Sequence, residues 1–223
     1  MLMFRFRALR IVLAALAVLA LPGAVRAPRP EPSDDPPPAP RARPVDGRVM
    51  LASDFRQAAS LDLWSPDRSG VWSLAHGALR ARLPDKKQGR SLIYAGSEEW
   101  AEYAVDLDVC QTRGVDKGLA LRVLRGRGVA VDLRGPGYHD VLLHLQSLLL
   151  GSASVHNDNG IWHHLRVEAL DSRYRVLVDG RLVLDKSDPR RSSRQGRIAL
   201  AAYTGGEGRC TVYYDNVVVT SLR

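Results

Sequence analysis

An arginine, an aspartate and a histidine on three successive apolar runs are the residues of this chain best spaced for joint chemistry. Leu119, Leu121 and Val123 alternate with Ala120, Arg122 and Leu124, and Val129, Val131 and Leu133 alternate with Ala130, Asp132 and Arg134. His144 sits in the leucine-rich run that follows. Successive side chains of a strand project to opposite faces. If Leu121, Val131 and Leu143 turn into a core, then Arg122, Asp132, Arg134 and His144 look outward together. Consecutive antiparallel strands usually neighbour each other, which gathers Arg122, Asp132 and His144 across three strands. A guanidinium and a carboxylate suit bidentate bonds to vicinal hydroxyls, and an imidazole can act as acid or base. Tyr138 and His139, in the loop between, could stack on a flat ring. The competing reading is a solvated outer face with ordinary cross-strand charge pairs.

Other candidates are thinner. His163-His164 invites a metal, but neighbouring strand residues face opposite ways, so packing or surface roles are expected. His156-Asn157-Asp158-Asn159-Gly160 offers oxygens that calcium accepts, yet Asn-Gly is first of all a hairpin turn. The expectation is therefore no cofactor, with calcium as the minor alternative. Arg190, Arg191, Arg194 and Arg197 lie among Ser and Pro without interleaved aromatics, as in a solvated loop. There is no phosphate-binding glycine loop, nucleophile elbow or dinucleotide fingerprint. Trp72 and Trp162 fall in strand patterns and read as core. Cys110 and Cys210, the only cysteines, could form a disulfide closing a loop worth about 4–5 kcal/mol. Their parities differ, however, which would turn them to different faces.

The elements that must position these residues are strands. Val105, Leu107 and Val109 alternate with Asp106, Asp108 and Cys110; Leu165 and Val167 with Arg166 and Glu168; Tyr174, Val176 and Val178 with Arg175, Leu177 and Asp179. Turn signals stand between them at Gly126-Arg127-Gly128, Gly135-Pro136-Gly137, Asn159-Gly160, Asp179-Gly180 and Gly205-Gly206. Short alternating runs so punctuated indicate a sandwich or barrel. The stretch 139–150 is rich in leucine and could form a short helix; the expectation is strand.

The amino-terminal 44 residues differ in kind. Arg5, Arg7, Arg10 and Arg26, with no acid before residue 28, supply +4 of the chain's +8. The remaining surplus is too small to demand nucleic acid. Ile11–Val25 carries no charge, and Val25 and Ala27 fit a small-residue cleavage site, so residues 1–27 read as a secretory signal. Fifteen residues rise only about 22 Å as a helix, short of a bilayer core of about 30 Å; an uncleaved anchor is the alternative. Eight of the seventeen residues from Pro28 to Pro44 are proline, which predicts a disordered, extended linker reaching about 50 Å. The folded domain is then expected over 45–223. Location follows: secreted, or periplasmic and cell-envelope, without membrane insertion once the signal is cleaved.

Within that domain, Trp162, Leu165 and Val167, the Val178-Asp179-Gly180 turn, Gly196, Ile198 and Leu200, and Tyr214-Asp215-Asn216-Val217 follow one another in a recognisable order. With Asp54-Phe55, Val71-Trp72-Ser73-Leu74 and Gly77-Ala78-Leu79 upstream, they resemble the 3-keto-disaccharide hydrolase, or family 16 glycoside hydrolase-like, group of concanavalin A-like domains. The resemblance implies an all-β fold, a two-sheet antiparallel jelly-roll sandwich, and a glycan or small saccharide as partner. True family 16 glycosidases carry Glu-x-Asp-x-x-Glu on one strand. That pattern is absent, and Glu98-Glu99 are adjacent and would point oppositely. Carbohydrate binding is therefore the first expectation, through Arg122, Asp132, His144, Arg134, Tyr138 and His139. The second is a hydrolase acting on 3-keto-glycosides, with His144 or Asp132 moving the proton. A structural or adhesion module without a small ligand is the third.

Overall fold

The computed structural model describes residues 33–84, 89–190, 192–206 and 208–223. The signal expected over 1–27, the start of the proline-rich stretch and Arg191 lie outside the described residues. Among the described residues the order is β1 (Val49–Ser53), a 3-10 turn (Ala58–Leu63), β2 (Trp64–Pro66), β3 (Trp72–Ala75), β4 (Ala78–Leu83), β5 (Arg90–Ala95), β6 (Tyr103–Arg113), β7 (Asp116–Leu124) and β8 (Arg127–Arg134). There follow β9 (Asp140–Leu145), β10 (Leu148–Ser154), β11 (Trp162–Leu170), β12 (Arg173–Val178), β13 (Arg181–Ser187), β14 (Arg197–Tyr203) and β15 (Cys210–Ser221).

The strands form two antiparallel sheets. The first runs β13, β12, β11, β6, β15, β4, β3, with β1 also against β15; the second runs β10, β9, β8, β7, β14, β5, β2. Leu107, Val109, Leu165, Val167 and Tyr214 of the first sheet and Leu119, Leu121, Val131, Leu133, Leu143 and Leu200 of the second are buried in one core cluster. Each such apolar side chain contributes about 1.5–3 kcal/mol by leaving water. This is the expected sandwich. The leucine-rich stretch is strand, because Val141 and Leu143 alternate inward while Asp140, Leu142 and His144 stay less buried. Pairing with β8 and β10 overrides leucine's helical preference.

The described part of the proline-rich stretch does not hang free as expected. Residues 33–44 carry no helix or strand, and proline prevents both by lacking an amide donor. Their carbonyls still accept, and the outer face of the first sheet supplies the donors. Thr112 Oγ1 and Tyr213 Oη donate to Asp34 O at 3.0 and 2.9 Å. Trp162 Nε1 donates to Pro37 O at 2.8 Å, and Asn216 Nδ2 to Pro40 O at 3.0 Å. Arg113 pairs with the Asp34 carboxylate. The stretch is thus a strap on the domain rather than a spacer beside it. Trp162, expected in the core, instead stands opposite Cys110 on this outer face and holds the strap.

The disulfide does not form. Cys110 and Cys210 are free and buried. Cys110 lies opposite Tyr213, three positions along β15 from Cys210, a span of about 10 Å at strand rise and beyond the reach of a bridge. Cys210 belongs to the core cluster and Cys110 does not, so the parity difference holds. No helix among the described residues is long and apolar enough to cross a membrane.

Candidate functional site

A groove of about 720 Å³ lies on the outer face of the second sheet. Its floor follows from the cross-strand register. Ala199 stands opposite Ala120, Ala120 opposite Ala130, Ala201 opposite Gly118, and Gly118 opposite Asp132. Small side chains in adjoining positions leave a trough, and larger ones bound it: Arg90, Leu92 and Tyr94 from β5, Tyr203 from β14, Asp116 from β7, Asp132 from β8 and His144 from β9. Tyr214 of the opposite sheet pins this floor from beneath. Its hydroxyl accepts from Gly118 N at 3.0 Å and lies 2.6 Å from Ala201 O, and it is fully buried.

His144 and Asp132 meet at the groove wall. His144 Nε2 is 2.8 Å from Asp132 Oδ2, and His144 Nδ1 is 2.8 Å from Gln146 O. The carbonyl is held there by the tight turn between β9 and β10, where Gln146 has φ +53°. A carbonyl only accepts, so Nδ1 carries a proton. When Asp132 is ionised its carboxylate accepts as well, and Nε2 then donates to it. That hydrogen bond is the chief cause that raises the His144 pKa.

Asp116 is the third ionisable group at this wall. It stands opposite Arg134 in the register, one strand and two residues from Asp132. Arg134 is committed elsewhere, donating from Nε and Nη2 to the Asp140 carboxylate at 2.8 and 2.6 Å. Asp116 Oδ1 is buried without a hydrogen-bond partner among the described residues. Burial first, and the negative charge of Asp132 second, push the Asp116 carboxyl up to about 6.

The residues singled out in the sequence part into groups. Asp132 and His144 come together as expected. Arg122 does not join them: it is wholly buried. A bulge shifts the β7–β8 register between Leu121 and Leu124, and Arg122 sits in it at φ +50°. That extra residue reverses the pleat count and sends the guanidinium inward, where it donates to Ala101 O, Asp171 O and Tyr174 Oη. Arg134 lies under the Tyr138 ring at 4.1 Å and bonds Asp140, away from the groove wall. His139 stacks on His156 at 5.4 Å, and both face Asp158.

The remaining candidates disperse. His163 turns to Asp179 at 2.8 Å, and His164 to Asp106 and Asp108 on the strap side. The oxygens of 156–160 diverge: Asn157 Oδ1 accepts from Lys117 Nζ at 2.6 Å, Asp158 faces two histidines, and the Asn159 amide bonds Gly114 O. Among the described residues no three His, Cys, Asp or Glu side chains gather to hold a metal.

Sequence reasoning passed over Asp116, Tyr94 and Tyr203. For Asp116 the signal was available, since it shares the outward parity of Gly118 and Ala120 one turn of the pleat earlier. Tyr94 and Tyr203 belong to strands far apart in sequence that only the closed sheet makes neighbours.

A two-sheet antiparallel sandwich with an open groove on one outer face defines a jelly-roll domain. Residues 54–220 match the 3-keto-alpha-glucoside-1,2-lyase-like domain, and the chain belongs to that family. Among solved structures, the carbohydrate binding module CBM66 from Bacillus subtilis shares the fold at 18% identity and a TM-score of 0.61, over 71% of this chain and 96% of that one. The VIP36 exoplasmic/lumenal domain in its Ca2+/Man3GlcNAc-bound form has 12% identity and a TM-score of 0.59, over 76% and 88%. The Crh5 transglycosylase in complex with NAG has 13% identity and a TM-score of 0.61, over 85% and 92%. No curated protein matches the chain.

Proposed function

We propose that this is an exported domain that binds a saccharide in the groove of the second sheet. The observation that carries the reading is the floor of Ala120, Ala130 and Ala201 beneath the Asp132–His144 pair. A pyranose is a flat body with polar edges. A trough of small side chains admits the body, and a carboxylate fixed at its wall meets vicinal hydroxyls in charge-assisted hydrogen bonds. The groove's volume lies within the range of about 300–1,000 Å³ usual for ligand sites. Likeness in fold to a carbohydrate binding module and to two glycan-bound proteins supports it, and the basic, apolar and small-residue order of 1–27 supports export.

Calorimetry with oligosaccharides chosen from a glycan array tests this. Loss of a charge-assisted hydrogen bond, about 1.5–3 kcal/mol, predicts that Asp132→Ala weakens binding about 10- to 100-fold while the fold is kept. Equal affinity in Asp132→Ala and the unaltered chain would remove the groove from the account.

The contact of His144 with Asp132 at 2.8 Å favours a second reading, in which the groove also moves protons. Coupled with the family, that points to a 3-keto-α-glucoside cleaved at its glycosidic bond. The ketone makes the neighbouring C–H acidic, so a positioned base and a proton donor suffice.

A further inference from the structure

We propose that Asp116 and Asp132 are the proton donor and proton acceptor of the groove, and that His144 is a positioning residue. The assignment rests on the second reading above; of the two residues expected from the sequence to move the proton, His144 or Asp132, it keeps Asp132 and gives His144 the supporting part.

Three observations carry it. First, both ring nitrogens of His144 are already bonded, to Gln146 O and Asp132 Oδ2 at 2.8 Å each. The imidazole offers no nitrogen to a substrate; it fixes Asp132 by one oxygen and leaves Oδ1. Second, Oδ1 is aimed over β7. A Cβ on Gly118 would lie 3.1 Å from it, so the missing side chain is what lets this carboxylate lean toward the strand that carries Asp116. The two acids are diagonal neighbours in the register, a relation that puts Cα atoms about 7–8 Å apart and long side chains within reach. Third, Asp116 forms no ion pair among the described residues. Its cross-strand neighbour Arg134 is bidentate to Asp140, and its buried Oδ1 has no partner among the described residues.

One carboxyl held by a cation and another left beside a like charge are the conditions under which two acids take opposite roles. Asp132 lies on β8 and is bonded to His144. Around Asp116 stand Asp132 and Arg134 on β8, Asp140 on β9, and the adjoining Lys117; the acids outweigh the cations, and burial adds to them.

With a 3-keto-α-glucoside in the groove, the Asp132 carboxylate takes the proton from C2. The C–H electron pair becomes the C1–C2 double bond, and the C1–O bond breaks with its pair on oxygen. That oxygen takes the proton of Asp116. Asp132 ends protonated and Asp116 ionised, and exchange with solvent restores both. Atoms and electrons balance without an oxidant or reductant, because the ketone is already in the substrate.

The test compares the 3-keto derivative of trehalose, a poor leaving group, with 4-nitrophenyl 3-keto-α-glucoside, whose phenolate leaves without a proton. Asp116→Asn is expected to lower kcat on the disaccharide about 10²- to 10⁴-fold and on the aryl glycoside less than tenfold, with KM little changed. The alkaline limb of the disaccharide profile near pH 6 disappears with it. Asp132→Asn lowers both substrates alike. His144→Gly lowers both, and added imidazole restores part of the rate. Equal losses on the two substrates in Asp116→Asn, or a persistent alkaline limb, would overturn the assignment. Saccharide binding without turnover of either substrate by the unaltered chain would overturn it as well and leave the binding reading standing. Absence of binding and turnover together would remove both.

Discussion

Arg122 Nη1, carried by the groove sheet, donates to the hydroxyl of Tyr174 on the opposite sheet at 3.1 Å, and the guanidinium lies 5.3 Å from that ring's centroid. With Ala101 O, Asp171 O and Ser193 O also accepting, this cation ties the two sheets together at one end of the sandwich. Glu102 stands 3.6 Å away as its counter-charge.

Removing a buried cation bonded through Nε and Nη1 leaves its acceptors unpaired, a loss of about 3–5 kcal/mol for such pairs. Arg122→Ala should therefore lower Tm by about 6–20 °C for a domain of this size. Saccharide affinity should fall by less than threefold under conditions where the variant is folded. Thermal unfolding followed by circular dichroism reads the first effect and calorimetry the second; a drop of under 2 °C would show that the guanidinium bears no such load.

The strap should behave as part of the domain. Trp162→Phe removes one hydrogen bond to Pro37 O and should cost about 0.5–1.5 kcal/mol. Trypsin cleavage after Arg41 should be faster in that variant. Unchanged stability and cleavage would mean that 33–44 does not rest on this face in solution.

Stability should be greater at pH 5 than at pH 7.5. Burial pushes the carboxyls of Asp116 and Asp215 up to about 6, above the ordinary value of 3.8. Groups shifted this way favour the folded state most below pH 3.8 and lose that advantage as pH rises through about 6. His144 and His164 are raised as well, so their contribution is complete below pH 6.5 and declines above it. Lys117, buried and held down to about 8, opposes folding while charged and ceases to do so between pH 8 and 10.5. Urea midpoints should fall from pH 5 to 7.5; above pH 8 the gain from Lys117 is opposed by the two buried thiols, whose raised values of about 11 and 12 lower stability above pH 9, and Lys117→Met should make the midpoints fall more steeply between pH 8 and 9. A steady rise from pH 5 to 7.5 would contradict these shifts.

Both thiols should be free and silent. Burial pushes Cys110 up to about 11 and Cys210 up to about 12, and a thiol rather than a thiolate is a poor nucleophile. A thiol reagent should label neither cysteine in the native protein at pH 8 and both after denaturation without reductant. Unlabelled denatured protein would show that a bond had formed.

The pleat count from Leu119 to Leu133 found the inward leucines and valines and placed Asp132 and His144 together, because uninterrupted alternation is a purely local property. It failed at Arg122 for the same reason: a bulge adds one residue to one strand, and nothing in Leu121-Arg122-Val123 marks it. Trp162 and the strap were misread together. The indole is at home on an outer face only because Pro37 supplies an acceptor from 125 residues away. The groove floor was illegible too, since Ala199 and Ala201 become neighbours of Ala120 and Gly118 only when β14 docks beside β7. Distant pairing, not propensity, made the site.

The most direct measurement is a two-dimensional NMR titration of the isotopically labelled domain with an oligosaccharide selected by array binding. The amides of Gly118, Ala120, Ala130, Asp132, His144, Ala199 and Ala201 should shift together and saturate with one affinity, while those of Trp162 and Tyr213 stay in place. Saturable shifts confined to the strap face, or none on β7, β8 and β14, would contradict the account.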